Sequence, residues 1–174
     1  MKIVTAPDTY FAEYGEVSVF LAGGICDCPD WQSRVIQKLQ SFDGLDNLVV
    51  YNPRRENFPI GDPSAANDQI KWEFYWLQLM SIFSMFFCAS KSDQPICMYE
   101  LGRNLLTMHL RFPENWKDRC VITSHELYRR RQDVEIQTGL CVCDDSFKVT
   151  VSDDYDYLID LHAANIVKAY KSVF

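Results

Sequence analysis

The run Ile82-Phe83-Ser84-Met85-Phe86-Phe87-Cys88 restricts the fold more than any other segment. Apolar residues fill it without the alternation of a half-solvated strand, so it reads as a strand buried on both faces, as parallel sheets require. Val17-Ser18-Val19-Phe20-Leu21-Ala22 has the same character and ends in Gly23-Gly24. Asp30 then caps a helix that turns Val35, Ile36 and Leu39 inward. Leu48-Val49-Val50-Tyr51 and Cys120-Val121-Ile122-Thr123 supply two more strands. Helical periods fill the intervals, from about Ala65, from Pro95 and from about Asp153. The last carries Leu158, Leu161, Ala164, Val167 and Tyr170. Strands alternating with helices predict a three-layer α/β fold with a doubly wound parallel sheet of the flavodoxin type. A single domain over residues 1–174 is expected, with Met1 to Gly15 as an extended arm. A chain of this length can bury about 70% of its unfolded surface.

Charge and cysteine content narrow the partners. Seventeen basic against twenty-four acidic residues give a net charge of −7. The one basic cluster, Arg129-Arg130-Arg131, is too short for a duplex-binding face, so no nucleic acid polymer is expected. An anionic small ligand stays open, because one local arginine matters more to it than the global charge. Seven cysteines, an odd number without an amino-terminal apolar segment, suit a reducing cytoplasmic setting. No apolar stretch reaches the ~18 residues of a membrane span. Cys26/Cys28 and Cys141/Cys143 form two Cys-x-Cys pairs, which fit either a four-thiolate metal site or core packing. The spacing differs from the usual Cys-x-x-Cys of zinc sites, and no metal or cofactor is expected. His109, His125 and His162 show no nucleophile-base spacing and read as packing or surface residues.

Glu100 follows the Ile82–Cys88 strand and a polar loop, shortly after Pro95. Proline is favoured at the first helical position, and a helix start favours negative charge by about 0.3–1 kcal/mol, so Glu100 is expected to stay ionised. Ligands of open α/β sheets bind beyond the carboxyl ends of the strands, where this helix start should lie. The residue is then either a solvated complement to the helix dipole or a carboxylate placed for chemistry. Glu73, polar within the apolar helix Gln69-Ile70-Lys71-Trp72-Glu73, is either a surface residue paired with Lys71 or Lys91 or the second member of a carboxyl pair. Such pairs, one nucleophilic and one carrying a proton, break glycosidic bonds. The same helix bears two apolar stripes, Ile70, Phe74, Leu77 and Met80 against Trp72, Trp76 and Leu79. One suits the sheet and the other a second subunit or more of the same chain. Gly23-Gly24 lets backbone approach a ligand but lacks the G-x-G-x-x-G pattern of dinucleotide sites. The long loop from Asn52-Pro53-Arg54-Arg55 to Asn67 has the length of a functional loop.

Taken in order, Val19-Phe20-Leu21-Ala22-Gly23-Gly24-Ile25, Asp30-Trp31-Gln32, Asn52-Pro53-Arg54-Arg55, Gln69-Ile70-Lys71-Trp72-Glu73 and Gln94-Pro95-Ile96 with Tyr99-Glu100-Leu101-Gly102 resemble the nucleoside 2-deoxyribosyltransferase-like family. The resemblance runs from Val17 to Gly102 and more loosely to Val134. It implies a flavodoxin-like fold, a homo-oligomer with shared active sites, and cleavage of the N-glycosidic bond of a nucleoside or nucleotide. It assigns the nucleophile to Glu100 and the handling of the base or its proton to Glu73. Gly23 and Gly24 should line the pocket, with Asn52, Arg54 and Arg55 as supports or base contacts. Three positions depart from the family pattern. Phe20 stands where a tyrosine orients the nucleophile. Gln94 stands where an aspartate holds the sugar hydroxyls, with Asp93 one place earlier. Asp133 stands where a neighbouring subunit supplies an asparagine.

The leading expectation is a glycosyl-enzyme on Glu100, resolved by a second base or by water. A nucleoside 5′-monophosphate N-glycosidase is the alternative, with Ser90, Lys91 and Ser92 as phosphate contacts that Asp93 would oppose. A non-catalytic nucleotide-binding or sensing module is the alternative of another class.

Overall fold

A computed structural model describes residues 1–59, 61–143 and 146–174. The strands are β1 (Lys2–Thr5), β2 (Val17–Gly23), β3 (Leu48–Asn52), β4 (Ile82–Phe87), β5 (Cys120–His125) and β6 (Thr150–Ser152). They form one sheet in the order β1-β3-β2-β4-β5-β6, and every pairing is parallel. The helices are α1 (Trp31–Gln40), α2 (Pro63–Leu79), α3 (Pro95–Arg111), α4 (Arg131–Cys141) and α5 (Tyr155–Lys171). Alternation along the strands divides the core. Val19, Leu21, Ile82 and Phe86 pack with α1 and α5, while Phe20, Ala22, Phe83, Met85 and Phe87 pack with α2 and α3. This is the three-layer, doubly wound, flavodoxin-like arrangement. Among the described residues no helix is long and apolar enough to cross a membrane.

Caps fix where the helices begin. Asp30 accepts from the Ser33 amide at 3.2 Å, Asp62 from Ser64 at 2.9 Å, and Asp154 from Tyr157 at 3.0 Å. His162 of α5 is fully buried between Oγ of Ser84 at 2.7 Å and Oγ1 of Thr123 at 2.8 Å, so it is a packing residue. Burial drives its pKa down to about 3 and keeps the ring neutral.

Several elements differ from the sequence reading. The opening of the arm, Lys2–Thr5, is an edge strand on β3, with Lys2 opposite Val49 and Thr5 opposite Asn52. Helix α4 has no counterpart in the sequence reading, because its buried positions include Thr138 and Gly139 while Ile136 and Leu140 are exposed, which hides its period. In α5 the inward face is Leu158, Ile159, His162, Ala163, Ile166, Val167 and Tyr170, whereas Ala164 is exposed. A strict three-residue spacing falls about 60° behind the 3.6-residue turn at each step and drifts off the face. In α2, Trp72, Trp76 and Leu77 are buried, and Ile70, Phe74 and Leu79 are exposed, so the two stripes are divided differently from the reading.

The order reverses between β2 and β4, because β3 lies to one side of β2 and β4 to the other. That switch point opens a crevice beyond the carboxyl ends of the two strands. Gly23-Gly24 and the loop from Cys88 to Gln94 form its rim.

Candidate active site

Two connections shape the crevice. At the end of β2, Gly23 has φ +150°, and a Cβ there would lie 2.3 Å from the carbonyl oxygen of Phe86, so only glycine fits. The Gly24 amide donates to that oxygen at 3.2 Å, and Nε1 of Trp31 donates to the Gly24 carbonyl at 3.0 Å. A Cβ on Gly24 would meet Oε1 of Gln94 at 2.4 Å. The turn is therefore stitched to β4 and to the start of α3.

Gln94 does the stitching from the other side. It is a non-glycine residue at φ 48° and the N-cap of α3. Its Nε2 donates to the Cys88 carbonyl at 2.8 Å, and its Oε1 accepts from the Cys88 amide at 3.3 Å. These bonds hold the left-handed backbone and aim α3, with Pro95 at its first turn, along the crevice.

The result is a cavity of about 310 Å³. Its lining comes from β2 and the turn after it (Phe20, Gly23, Gly24), from α2 (Ile70), and from the start of α3 with the loop before it (Gln94, Cys97). Glu73 of α2 and Glu100 of α3 both line it. The wall is mainly apolar, and none of the described lining residues is lysine or arginine.

Burial sets the electrostatics of the pair. Glu100 is pushed up to about 7, first by desolvation and then by the negative charge of Glu73, with Arg103 opposing. Glu73 is also raised by desolvation, against a hydrogen bond from Gln69. The expectation that Glu100 stays ionised is corrected here. The residue lies in the second turn of α3, where the helix-end charge has faded, so desolvation wins. The two carboxyls line one apolar cavity, and the like charge of Glu73 adds to the desolvation that holds the proton on Glu100.

The other sequence candidates fall in three places. Phe20, Gly23, Gly24 and Gln94 are on the cavity wall with Glu73 and Glu100. Phe20 is fully buried, its ring centroid 5.8 Å from that of Trp72. Asn52 and Arg54 lie behind the wall. Oδ1 of Asn52 accepts from the Arg54 amide at 3.0 Å, and the Arg54 guanidinium donates to Oε1 of Gln32 at 2.9 Å and to the carbonyls of Ile25, Cys28 and Pro29. Arg54 thus holds the loop after β2. Arg55 packs over Phe58. Asp93 is bound by Arg129, whose Nε lies 2.9 Å from its Oδ1. Asp133 pairs with Arg130 at 3.1 Å and lines a different groove, between α3 and α4, with Met98 and Gly102.

Glu73 takes a 2.8 Å hydrogen bond from Nε2 of Gln69, in place of the lysine partners considered from spacing. Gln69, Pro53, Ile70 and Cys97 carry no site role in the sequence reading, and Cys26 figures there only as a possible metal ligand. The i, i+4 spacing of Gln69 and Glu73 was a visible signal for the first. The rest are apolar or thiol residues with core-like patterns. The two Cys-x-Cys pairs do not assemble: among the described residues no three His, Cys, Asp or Glu side chains are grouped to hold a metal.

Two carboxyls with raised pKa on one mainly apolar cavity wall, together with a glycine turn, are the equipment for attack and protonation on the two sides of a bond to a sugar's anomeric carbon. A family model described as nucleoside 2-deoxyribosyltransferase like matches residues 16–108, just over half of the chain and every residue lining the cavity. A comparison with curated proteins finds no match.

Proposed function

The chain belongs to the nucleoside 2-deoxyribosyltransferase-like family, and on that premise we propose that it cleaves the N-glycosidic bond of a nucleoside by double displacement. The Glu100 carboxylate attacks C1′ as the C1′–N bond breaks, and the departing base takes the proton of Glu73. A glycosyl ester on Glu100 results. A second base or water then attacks C1′, restores the Glu100 carboxylate and returns its proton to Glu73. The observation that carries this reading is the shared placement of Glu73 and Glu100 on one cavity at the switch point, against Gly23 and Gly24.

Incubation with a deoxynucleoside and a foreign free base tests it, since base exchange reports transfer and base release reports hydrolysis. Glu100→Ala is expected to lower either rate at least about a thousandfold. Neither exchange nor release over a broad nucleoside panel rejects the proposal.

The cavity favours an uncharged nucleoside over its 5′-monophosphate. Its described wall lacks lysine and arginine and carries two carboxyls. Oγ of Ser90 donates to the Ser92 carbonyl at 3.1 Å, so its hydrogen is engaged within the loop, while Oγ of Ser92 accepts from the Gln94 amide at 3.1 Å and is the one serine donor among the described residues of the cavity wall. We expect kcat/KM for a nucleoside to exceed that for its monophosphate by about tenfold or more. The reverse ratio selects the monophosphate N-glycosidase. Phe20 and Gln94 keep a binding-only module as the second reading, and calorimetric binding without turnover selects it. The same family premise makes a homo-oligomer the proposed assembly.

A further inference from the structure

The two oxygens of Glu73 have different surroundings. Oε1 lies 2.8 Å from Nε2 of Gln69, one turn earlier on α2, and the same nitrogen lies 2.8 Å from the carbonyl oxygen of Pro53 at the start of the β3–α2 loop. A primary amide nitrogen has two N–H donors, and a backbone carbonyl can only accept. The nitrogen, not the oxygen, must therefore face this pair. The other end of the amide, Oε1 of Gln69, is buried without a hydrogen-bond partner among the described residues. Flipping the amide would set its oxygen against the Pro53 carbonyl and would cost the fold both bonds, so the orientation is locked.

We propose that Gln69 is a positioning residue for the reaction: it holds Oε1 of Glu73 as an acceptor and leaves Oε2 as the oxygen that carries the proton to and from the base. The assignment rests on the glycosyl-transfer reading of the cavity. It adds a role for a residue that lies outside the cavity wall. By bonding one oxygen, Gln69 fixes the carboxyl's rotamer, ties the middle of α2 to the loop after β3 and stops the proton from alternating between two oxygens. A single proton-bearing atom with a defined direction is what a general acid needs, since proton transfer depends on hydrogen-bond geometry before acidity. The bond also favours the ionised form of Glu73. That bias opposes desolvation, which raises Glu73; the titratable side chains that line the cavity with it are the Glu100 carboxyl and the Cys97 thiol of α3 and the Cys26 thiol of the loop after β2. Arg103, on α3, acts on Glu100.

The test uses the whole protein without substrate. Glu73 is followed by infrared titration of ¹³C-labelled glutamate carboxyls, its band identified by its loss in Glu73→Gln. Gln69→Leu removes both donors at similar volume, and Gln69→Met does so with an unbranched chain should the first variant fold poorly. In both, the Glu73 midpoint is expected to rise by about one pH unit, and kcat to fall about tenfold with KM little changed. An unmoved Glu73 midpoint in a folded variant overturns the assignment. Because the titration needs no turnover, an inactive wild type would sink the glycosyl-transfer reading without altering this measurement.

Discussion

Glu100 weakens the fold in order to sit where it does. Its ordinary value is 4.5, and in the folded chain it is pushed up to about 7. The folded state therefore holds this proton more tightly than the unfolded state. Below pH ~4.5 both states are protonated and the group has no effect. Between pH ~4.5 and ~7 folding takes up a proton, so stability falls as pH rises, and above pH ~7 a constant penalty of about 1–3 kcal/mol remains. Glu73, raised by the same cause, acts in the same direction. Glu100→Gln should be more stable than wild type at pH 8 and nearly equal at pH 4, as read by urea midpoints. An unchanged gap would mean that the carboxyl is solvated. Activity needs Glu100 ionised and Glu73 protonated, so kcat/KM should climb as pH approaches ~7 and Glu100 ionises, and fall again as Glu73 loses the proton it gives the base. In Glu73→Gln the Glu100 midpoint should move down, since the like charge that helps raise it is gone. The sequence pointed to both carboxylates but not to their protonation. Helix position is local and legible, whereas desolvation arises in a cavity that β2, α2 and α3 build only when they come together.

The glycine turn and the Gln94 loop work as one unit at the level of elements. A methyl group on Gly23 would drive into the backbone oxygen of Phe86, which cannot move without displacing β4. Gly23→Ala is expected to cost about 2–4 kcal/mol and to open the cavity. Gly102 provides the contrast, because a Cβ there meets nothing within 4 Å. Gly102→Ala, inside α3, should stabilise the folded monomer by up to about 1 kcal/mol in the same denaturant assay. Strands β2, β3, β4 and β5 were legible because burial on both faces writes a continuous apolar run. The short edge strands β1 and β6 were not, since an edge strand of a few half-buried residues carries no period. Helix α4 was obscured for a related reason: it buries threonine and glycine and exposes isoleucine and leucine. Gln94 was noticed only as a departure from a pattern, and its bonds to Cys88 required the fold.

Across the whole molecule, α2 and α3 present a face that the chain leaves open. Ile70 is 66% exposed, Phe74 52%, Ile96 64% and Tyr99 65%. The Arg103 guanidinium lies 4.6 Å from the centroid of Phe74 and 5.6 Å from that of Tyr99, so these side chains form one continuous surface. Ile70 and Ile96 also line the cavity. A protein of net charge −7 has an electrostatic reason to stay apart from its copies, and an apolar face of this kind is the surface that can overcome it. We propose that a second copy covers this face and closes the cavity mouth, which would exclude water at the step where water and a second base compete for C1′. Sedimentation equilibrium should then find the wild type as a dimer or larger. Phe74→Glu combined with Tyr99→Glu should yield a monomer with unchanged far-ultraviolet circular dichroism. In that monomer the ratio of base release to base exchange should rise, because the cavity opens to solvent while Glu73 and Glu100 stay in place. A wild type that is monomeric at high micromolar concentration removes the second copy from the reaction. The choice between acceptors would then lie with residues of a single chain, Gln94 and Ser92 first among those that line the cavity.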